Sequence, residues 1–215
     1  MSSCAAIAAK GDPMTLPLLK CPACRRDFPV RPGLFACPHA RSGEEHTLER
    51  ELGADPGLGS QLRTAWSGGG RRIFELFGEL LSAGRLLGPD GYGDLVHALS
   101  GSLEQLEGRC FEATPLVEAA ALTRALGRTG PLWVKNETGN IAGSHKGRHL
   151  MATLLYLEAL RVLDGHGTKK VLAIYSCGNA ALAAAAVARA GGYELHAFVP
   201  AEVDLVVARM LAERG

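Results

Sequence analysis

The 215-residue chain has no apolar run long enough to span a bilayer, which excludes a transmembrane helix. It also has almost no net charge. Its 23 Lys and Arg stand against 22 Asp and Glu, so a global pull toward nucleic acid or an anionic membrane surface is missing. Nor does it have the cysteine pattern of a disulfide framework: Cys4, Cys110 and Cys177 stand alone, and only Cys21, Cys24 and Cys37 cluster. Three thiols crowded into one short segment point to metal ligation in a reducing compartment. Residues 1–10 lack the basic stretch and sustained apolar run of a secretory signal. A cytoplasmic protein with neither a membrane nor a nucleic-acid partner is therefore expected. The remainder, 47% hydrophobic and 21% charged, is ordinary globular composition, with room for one good-sized core or for a core plus a small module.

Four stretches differ in character. Residues 1–17 are small and Ala-rich, and are expected to be loose. Residues 18–52 are rich in cysteine and proline, with no room for a core of their own, and read as a zinc-ribbon-like module. Residues 53–110 turn helical and read as a connector. Ile73, Phe74, Phe77, Leu80 and Leu81 recur at helical spacing, as do Leu95, Val96, Leu99, Leu103 and Leu106. This predicts two amphipathic helices parted by a turn at Gly88-Pro89-Asp90-Gly91. Ser67-Gly68-Gly69-Gly70 reads as a flexible joint, because no strand precedes it and no Lys-Ser/Thr follows, as a phosphate loop requires. His97 and His166 read as residues of a helix face and a surface turn.

Residues 111–215 alternate strand with helix. Strands are expected at Leu132–Lys135, Val171–Tyr175 and Leu195–Val199. Helices are expected through Leu150, Met151, Leu154, Leu155 and Leu157, over Ala180–Ala190 and over Val203–Glu213. Strands joined by helical crossovers predict an α/β fold with a parallel sheet. In such sheets ligands sit beyond the carboxyl ends of the strands.

Two loops at such ends carry the chemistry. The first runs from Asn136 to Arg148 and contains Gly143-Ser144-His145-Lys146-Gly147. A lysine opening a helix lies at that helix's positive end, which disfavours an ammonium there. A neutral amine is what Schiff-base chemistry uses; a solvated surface charge is the plain alternative. The second is Ser176-Cys177-Gly178-Asn179-Ala180. Gly178 allows close approach of a ligand, Asn179 can cap a helix beginning at Ala180, and free amides there suit a carboxylate or phosphate. A cap without a ligand is the plain alternative here.

Thr114-Pro115-Leu116, the Gly-Ser-His-Lys loop and Ser176-Cys177-Gly178-Asn179, in this order, resemble the fold-type II pyridoxal-phosphate (PLP) enzymes of the tryptophan synthase β superfamily. The resemblance runs from about Phe111 to Gly215. It implies PLP as cofactor and an amino acid as substrate. It implies that Lys146 forms the Schiff base and moves the substrate's α-proton, and that Asn179 bonds the cofactor's phenolic oxygen. Ser144 and His145 would flank the cofactor, and Ser176, Cys177, Gly178, Asn179 and Ala180 would hold the substrate carboxylate. Two departures stand out: Gly147 replaces the Asp common after the lysine, removing a partner for Arg148, and Cys177 replaces a more usual Ser.

Cys21-Pro22-Ala23-Cys24 supplies two thiolates, and Cys37-Pro38-His39 supplies the other two ligands of a tetrahedral zinc, with His46 as a substitute for His39. The alternative is a degenerate knuckle that has lost its metal. Nucleic-acid binding is disfavoured, since Arg25, Arg26, Arg31 and Arg41 are offset by Asp27, Glu44, Glu45 and Glu49. Many threonine synthase-like proteins carry such a ribbon before the PLP domain, which implies a threonine synthase-like lyase acting by β- or γ-elimination or replacement. A serine/threonine dehydratase and a non-catalytic scaffold are the alternatives. No glycine-rich phosphate loop or pyridine-nitrogen partner is legible after Asn179. The chain therefore reads as the N-terminal portion of such an enzyme, inactive by itself, with the stripe through Leu150, Leu154 and Leu157 uncovered. When complete it is expected to form a homo-oligomer.

Overall fold

The computed structural model describes residues 18–51, 56–67 and 72–214. The expected loose terminus at 1–17 and the joint at Gly68–Gly70 lie outside the described residues.

Three short antiparallel strands open the chain. β1 (Leu18–Cys21) lies between β2 (Arg26–Pro29) and β3 (Glu49–Glu51). Its register pairs Cys21 with Arg26 and Lys20 with Glu49. The core of this module is very small, with Cys21, Phe28 and Cys37 buried and Leu19, Cys24, Leu34 and Leu48 packed around them.

Two short helices follow, α1 (Pro56–Ser67) and α2 (Ile73–Leu76), then a 3₁₀ turn at Gly78–Leu80 and the long helix α3 (Ser82–Glu107). The apolar repeat through Ile73–Leu81 predicts one continuous helix here; the structure breaks it at Phe77 and Leu81, which leave helical geometry. α3 is kinked where expected. Gly88 adopts φ 73° and ψ 173°, and Pro89 brings no N–H to the ladder, so the helix is two segments joined at that point.

The rest is strand–helix alternation. β4 (Leu116–Glu118) leads to the short α4 (Ala120–Ala125) and then to β5 (Trp133–Lys135). A loop with a 3₁₀ turn at Ile141–Gly143 enters α5 (Lys146–Leu163). β6 (Leu172–Tyr175), α6 (Asn179–Ala190), β7 (Leu195–Phe198) and α7 (Leu205–Ala212) complete it. β6 and β7 pair in parallel, Leu172 opposite Leu195, with α6 as the crossover. The parallel prediction holds for this pair. β4 and β5 instead form a separate antiparallel pair, Leu116 opposite Lys135.

One main core unites the helical segment with the α/β segment. Phe74, Val96, Leu99 and Leu103 share it with Phe111, Ile141, Met151, Leu154, Leu155 and Val187. α3 packs on both α5 and α6, the helices that the two loops open. The stripe expected to be uncovered is covered: Leu154 is buried, and Leu150 and Leu157 are half-buried. The Ala-rich α6 permits this, since small side chains let it approach α5 closely. Exposed large apolar residues lie on the strands, at Tyr175, Phe198, Trp133 and Leu116, and on α7 at Leu205 and Val206. Among the described residues no helix is long and apolar enough to cross a membrane.

Candidate active site

Both loops lie at the carboxyl end of a strand and open a helix. β5 runs into the lysine loop and β6 into the asparagine loop. The 3₁₀ turn of the first packs against α6, the helix that the second begins. The fold therefore makes the two loops neighbours.

Lys146 is the first residue of α5 and is exposed. Ser144 fixes the helix start. It is buried at 7% exposure, and its Oγ accepts a hydrogen bond from Lys146 N at 3.3 Å. Ser144 is thus turned inward beneath the lysine, while His145 is exposed. The Lys146 amine has no partner among the described residues. Most other lysines there are engaged: Lys20 with Glu51 at 3.2 Å, Lys135 with Thr114 O, and Lys169 with Gly191 O at 2.6 Å. Lys170 also lacks a partner, but it precedes β6 and so lies at the amino end of a strand.

The loop is held by a cluster that sequence reasoning missed. Arg148 Nε lies 2.9 Å from Glu137 Oε2, and its Nη2 lies 3.3 Å from Oε1. Asn140 Nδ2 donates to Glu137 Oε2 at 2.7 Å, and Thr114 Oγ1 donates to Oε1. The Arg148 guanidinium, with the hydroxyl and amide, holds the Glu137 carboxyl down at about 2. Asn140, itself buried, accepts from Ile141 N and so starts the 3₁₀ turn. The partner that Arg148 loses by having Gly147 beside the lysine is supplied by Glu137. Gly147 is required sterically: a Cβ there would lie 2.9 Å from Ile141 O and 3.1 Å from the Phe111 ring. The available signal was a carboxylate at the loop's start and an arginine two residues past the lysine.

The asparagine loop differs from expectation in one respect. Asn179 does not cap the helix; α6 begins at Asn179 itself, and Gly178 is the N-cap, with no side-chain cap bond. The Asn179 side chain is therefore exposed and without a partner among the described residues. The first helical bond runs from Leu182 N to Gly178 O, at 3.2 Å. The amides of Asn179, Ala180 and Ala181 have no backbone partner among the described residues, which leaves donors for an anionic group. Ser176 Oγ accepts from Gly178 N, and Cys177 is exposed.

In the amino-terminal module the structure gathers Cys21, Cys24, Cys37 and His46 within 4.8 Å of one another. His39 is not among them. Its ring nitrogens face Arg26 Nη1, at 3.0 and 3.4 Å, and its ring lies against Phe28. His46 takes the place proposed for His39 because Ala36 and Thr47 form an antiparallel bridge, which brings Cys37 and His46 side by side.

Strand-to-helix loops that present a lysine amine and an asparagine amide after β5 and β6 define an α/β domain equipped to hold a small polar cofactor. Residues 109–215 match the family of pyridoxal-phosphate dependent enzymes, and this part of the chain belongs to that family, of fold type II. Its cofactor is PLP. No curated protein matches the sequence significantly. The residues present fit the reactive end of PLP: an unpartnered amine and an unpartnered amide side chain stand at adjoining helix starts. Among the described residues after Asn179, no glycine-rich turn offers a second cradle for its phosphate.

Proposed function

We propose that this chain carries the lysine-bearing part of the active site of a PLP-dependent lyase that acts on an amino acid by β- or γ-elimination or replacement, in the manner of threonine synthase. The observation that carries this reading is the Lys146 amine, exposed and unpartnered at the carboxyl end of β5, while Lys135 and Lys169 are tied to carbonyl oxygens. PLP, when bound, supplies the electron sink that stabilises negative charge at the substrate's α-carbon. The protein's part is to bind, orient and move protons. Lys146 Nζ holds the cofactor and carries the proton to and from the α-carbon. Asn179 orients the cofactor through its phenolic oxygen, with Ser144 and His145 beside it. The amides of Asn179 and Ala180, with Ser176, Cys177 and Gly178, receive the substrate carboxylate.

The order of parts, a Cys-His module ahead of the PLP domain, supports the threonine synthase-like assignment over a serine/threonine dehydratase. Product analysis of PLP-loaded protein tests it. Threonine and phosphate from O-phosphohomoserine support the reading. A 2-oxo acid and ammonia from serine or threonine would assign a dehydratase. PLP held on Lys146 with no turnover of any of the three, in a form extended beyond Gly215 as well as in this chain, would make the domain a scaffold.

A further inference from the structure

We propose that Cys21, Cys24, Cys37 and the Nδ1 nitrogen of His46 hold a zinc ion, with Glu44 orienting the imidazole. The ion keeps the segment between Cys24 and Cys37 seated on the helix that begins with Lys146.

The donor geometry suits this ion. Cys24 Sγ and Cys37 Sγ lie 3.6 Å apart, and all four donors lie within 4.8 Å. Tetrahedral zinc with Zn–S bonds of about 2.3 Å sets neighbouring sulfurs about 3.8 Å apart. A disulfide would need about 2 Å. Cys24 N points at Cys21 Sγ from 3.5 Å, so the tight turn brings a partial positive charge to one sulfur. Three thiols and an imidazole select zinc over magnesium or calcium, which prefer oxygen.

His46 supplies the observation that separates a site from a mere cluster. Its Nδ1 is buried and has no hydrogen-bond partner among the described residues. A buried ring nitrogen without a partner is costly unless something binds it. Its other nitrogen, Nε2, lies 3.4 Å from Glu44 Oε2, and that same oxygen accepts from Arg41 N at 3.0 Å. A carboxylate on Nε2 keeps the proton there and leaves the lone pair on Nδ1. This is the usual outer partner of a zinc-bound histidine. The module also needs such a tie, because among the described residues Phe28 is the one large side chain buried in its core.

The consequence for the rest of the molecule follows from where the ligands fall. Gly33 N donates to Tyr156 Oη at 3.0 Å, and the Phe35 ring meets the Tyr156 ring edge-on at 5.5 Å. Tyr156 belongs to α5, whose first residue is Lys146. Gly33 and Phe35 both lie between Cys24 and Cys37, so one ion pins both ends of the docking segment.

Elemental analysis of protein purified without added metal tests the site. It should find one zinc per chain, lost in Cys21→Ser. Zinc affinity should fall by about 10–100-fold in Glu44→Gln and by at least as much in His46→Ala, but stay unchanged in His39→Ala. Should His46→Ala fail to fold, His46→Cys should retain the metal and give a stronger thiolate-to-metal charge-transfer band with Co²⁺ than the native set. Removing the metal from native protein should speed hydrogen exchange at Gly33 and Phe35. Negligible zinc in native protein, or loss of zinc in His39→Ala but not in His46→Ala, would overturn the site. Unchanged exchange at Gly33 and Phe35 after metal removal would overturn the link to α5.

Discussion

Glu137 and Arg148 close the lysine loop from its two ends, with both carboxylate oxygens facing the guanidinium at 2.9 and 3.3 Å. The residues between them include the whole Gly-Ser-His-Lys segment. A planar guanidinium bound to both oxygens fixes orientation as well as distance. The position of Lys146 therefore rests on a pair that does no chemistry of its own.

Glu137→Gln should lower unfolding stability by about 2 kcal/mol, the scale of hydrogen bonds to charged groups. The pH dependence gives a sharper check. The Glu137 carboxyl is held at about 2, below its ordinary 4.5. A depressed carboxylate contributes stability in full above the unfolded value and loses it as pH falls toward the folded value. The difference in stability between native protein and Glu137→Gln should thus be constant above about pH 5.5 and shrink between 4.5 and 2. A difference independent of pH across that window, measured by urea unfolding, would contradict the role.

Gly147→Asp restores the residue common in relatives but should be harmful here. Its Cβ would meet Ile141 O and the Phe111 ring inside ordinary contact distance. Overpacking of this kind costs about 1–3 kcal/mol. A thermal midpoint equal to native would show that the loop has room to give.

Asn179→Ala should leave stability within about 0.5 kcal/mol of native, since the side chain is exposed and Gly178 is the N-cap. The same variant should retain PLP more weakly and shift its absorption. A large loss of stability with an unchanged spectrum would reduce Asn179 to a structural residue.

Tyr156→Phe removes the hydroxyl that accepts from Gly33 N. Exchange at the Gly33 amide should quicken, and stability should fall by about 1 kcal/mol. No change at Gly33 would mean that the module does not dock through this bond.

What was legible in the sequence was local. Lys146 and Asn179 could be placed because each follows a short apolar strand and a Gly/Ser turn and precedes a strongly patterned helix. The kink at Gly88-Pro89 was legible for the same reason. What was not legible depended on pairings distant in sequence. His39 and His46 are equally plausible ligands by spacing. The bridge of Ala36 to Thr47 decides between them, and nothing in the local pattern announces it. The Glu137–Arg148 pair spans eleven residues and became visible only when the loop folded back. β4 and β5 lie antiparallel, where alternation of strand and helix alone suggests a parallel neighbour. The apolar repeat over Ile73–Leu81 was real, but it serves short helical pieces rather than one helix.

Lys146 is the lysine we propose carries PLP. Protein saturated with PLP, reduced with borohydride, digested and mapped by mass spectrometry tests it most directly. The cofactor mass should be fixed on the peptide containing Lys146, and this label should be absent from Lys146→Ala. Label on Lys135 or Lys169 with Lys146 unmodified, or undiminished labelling of Lys146→Ala, would contradict it.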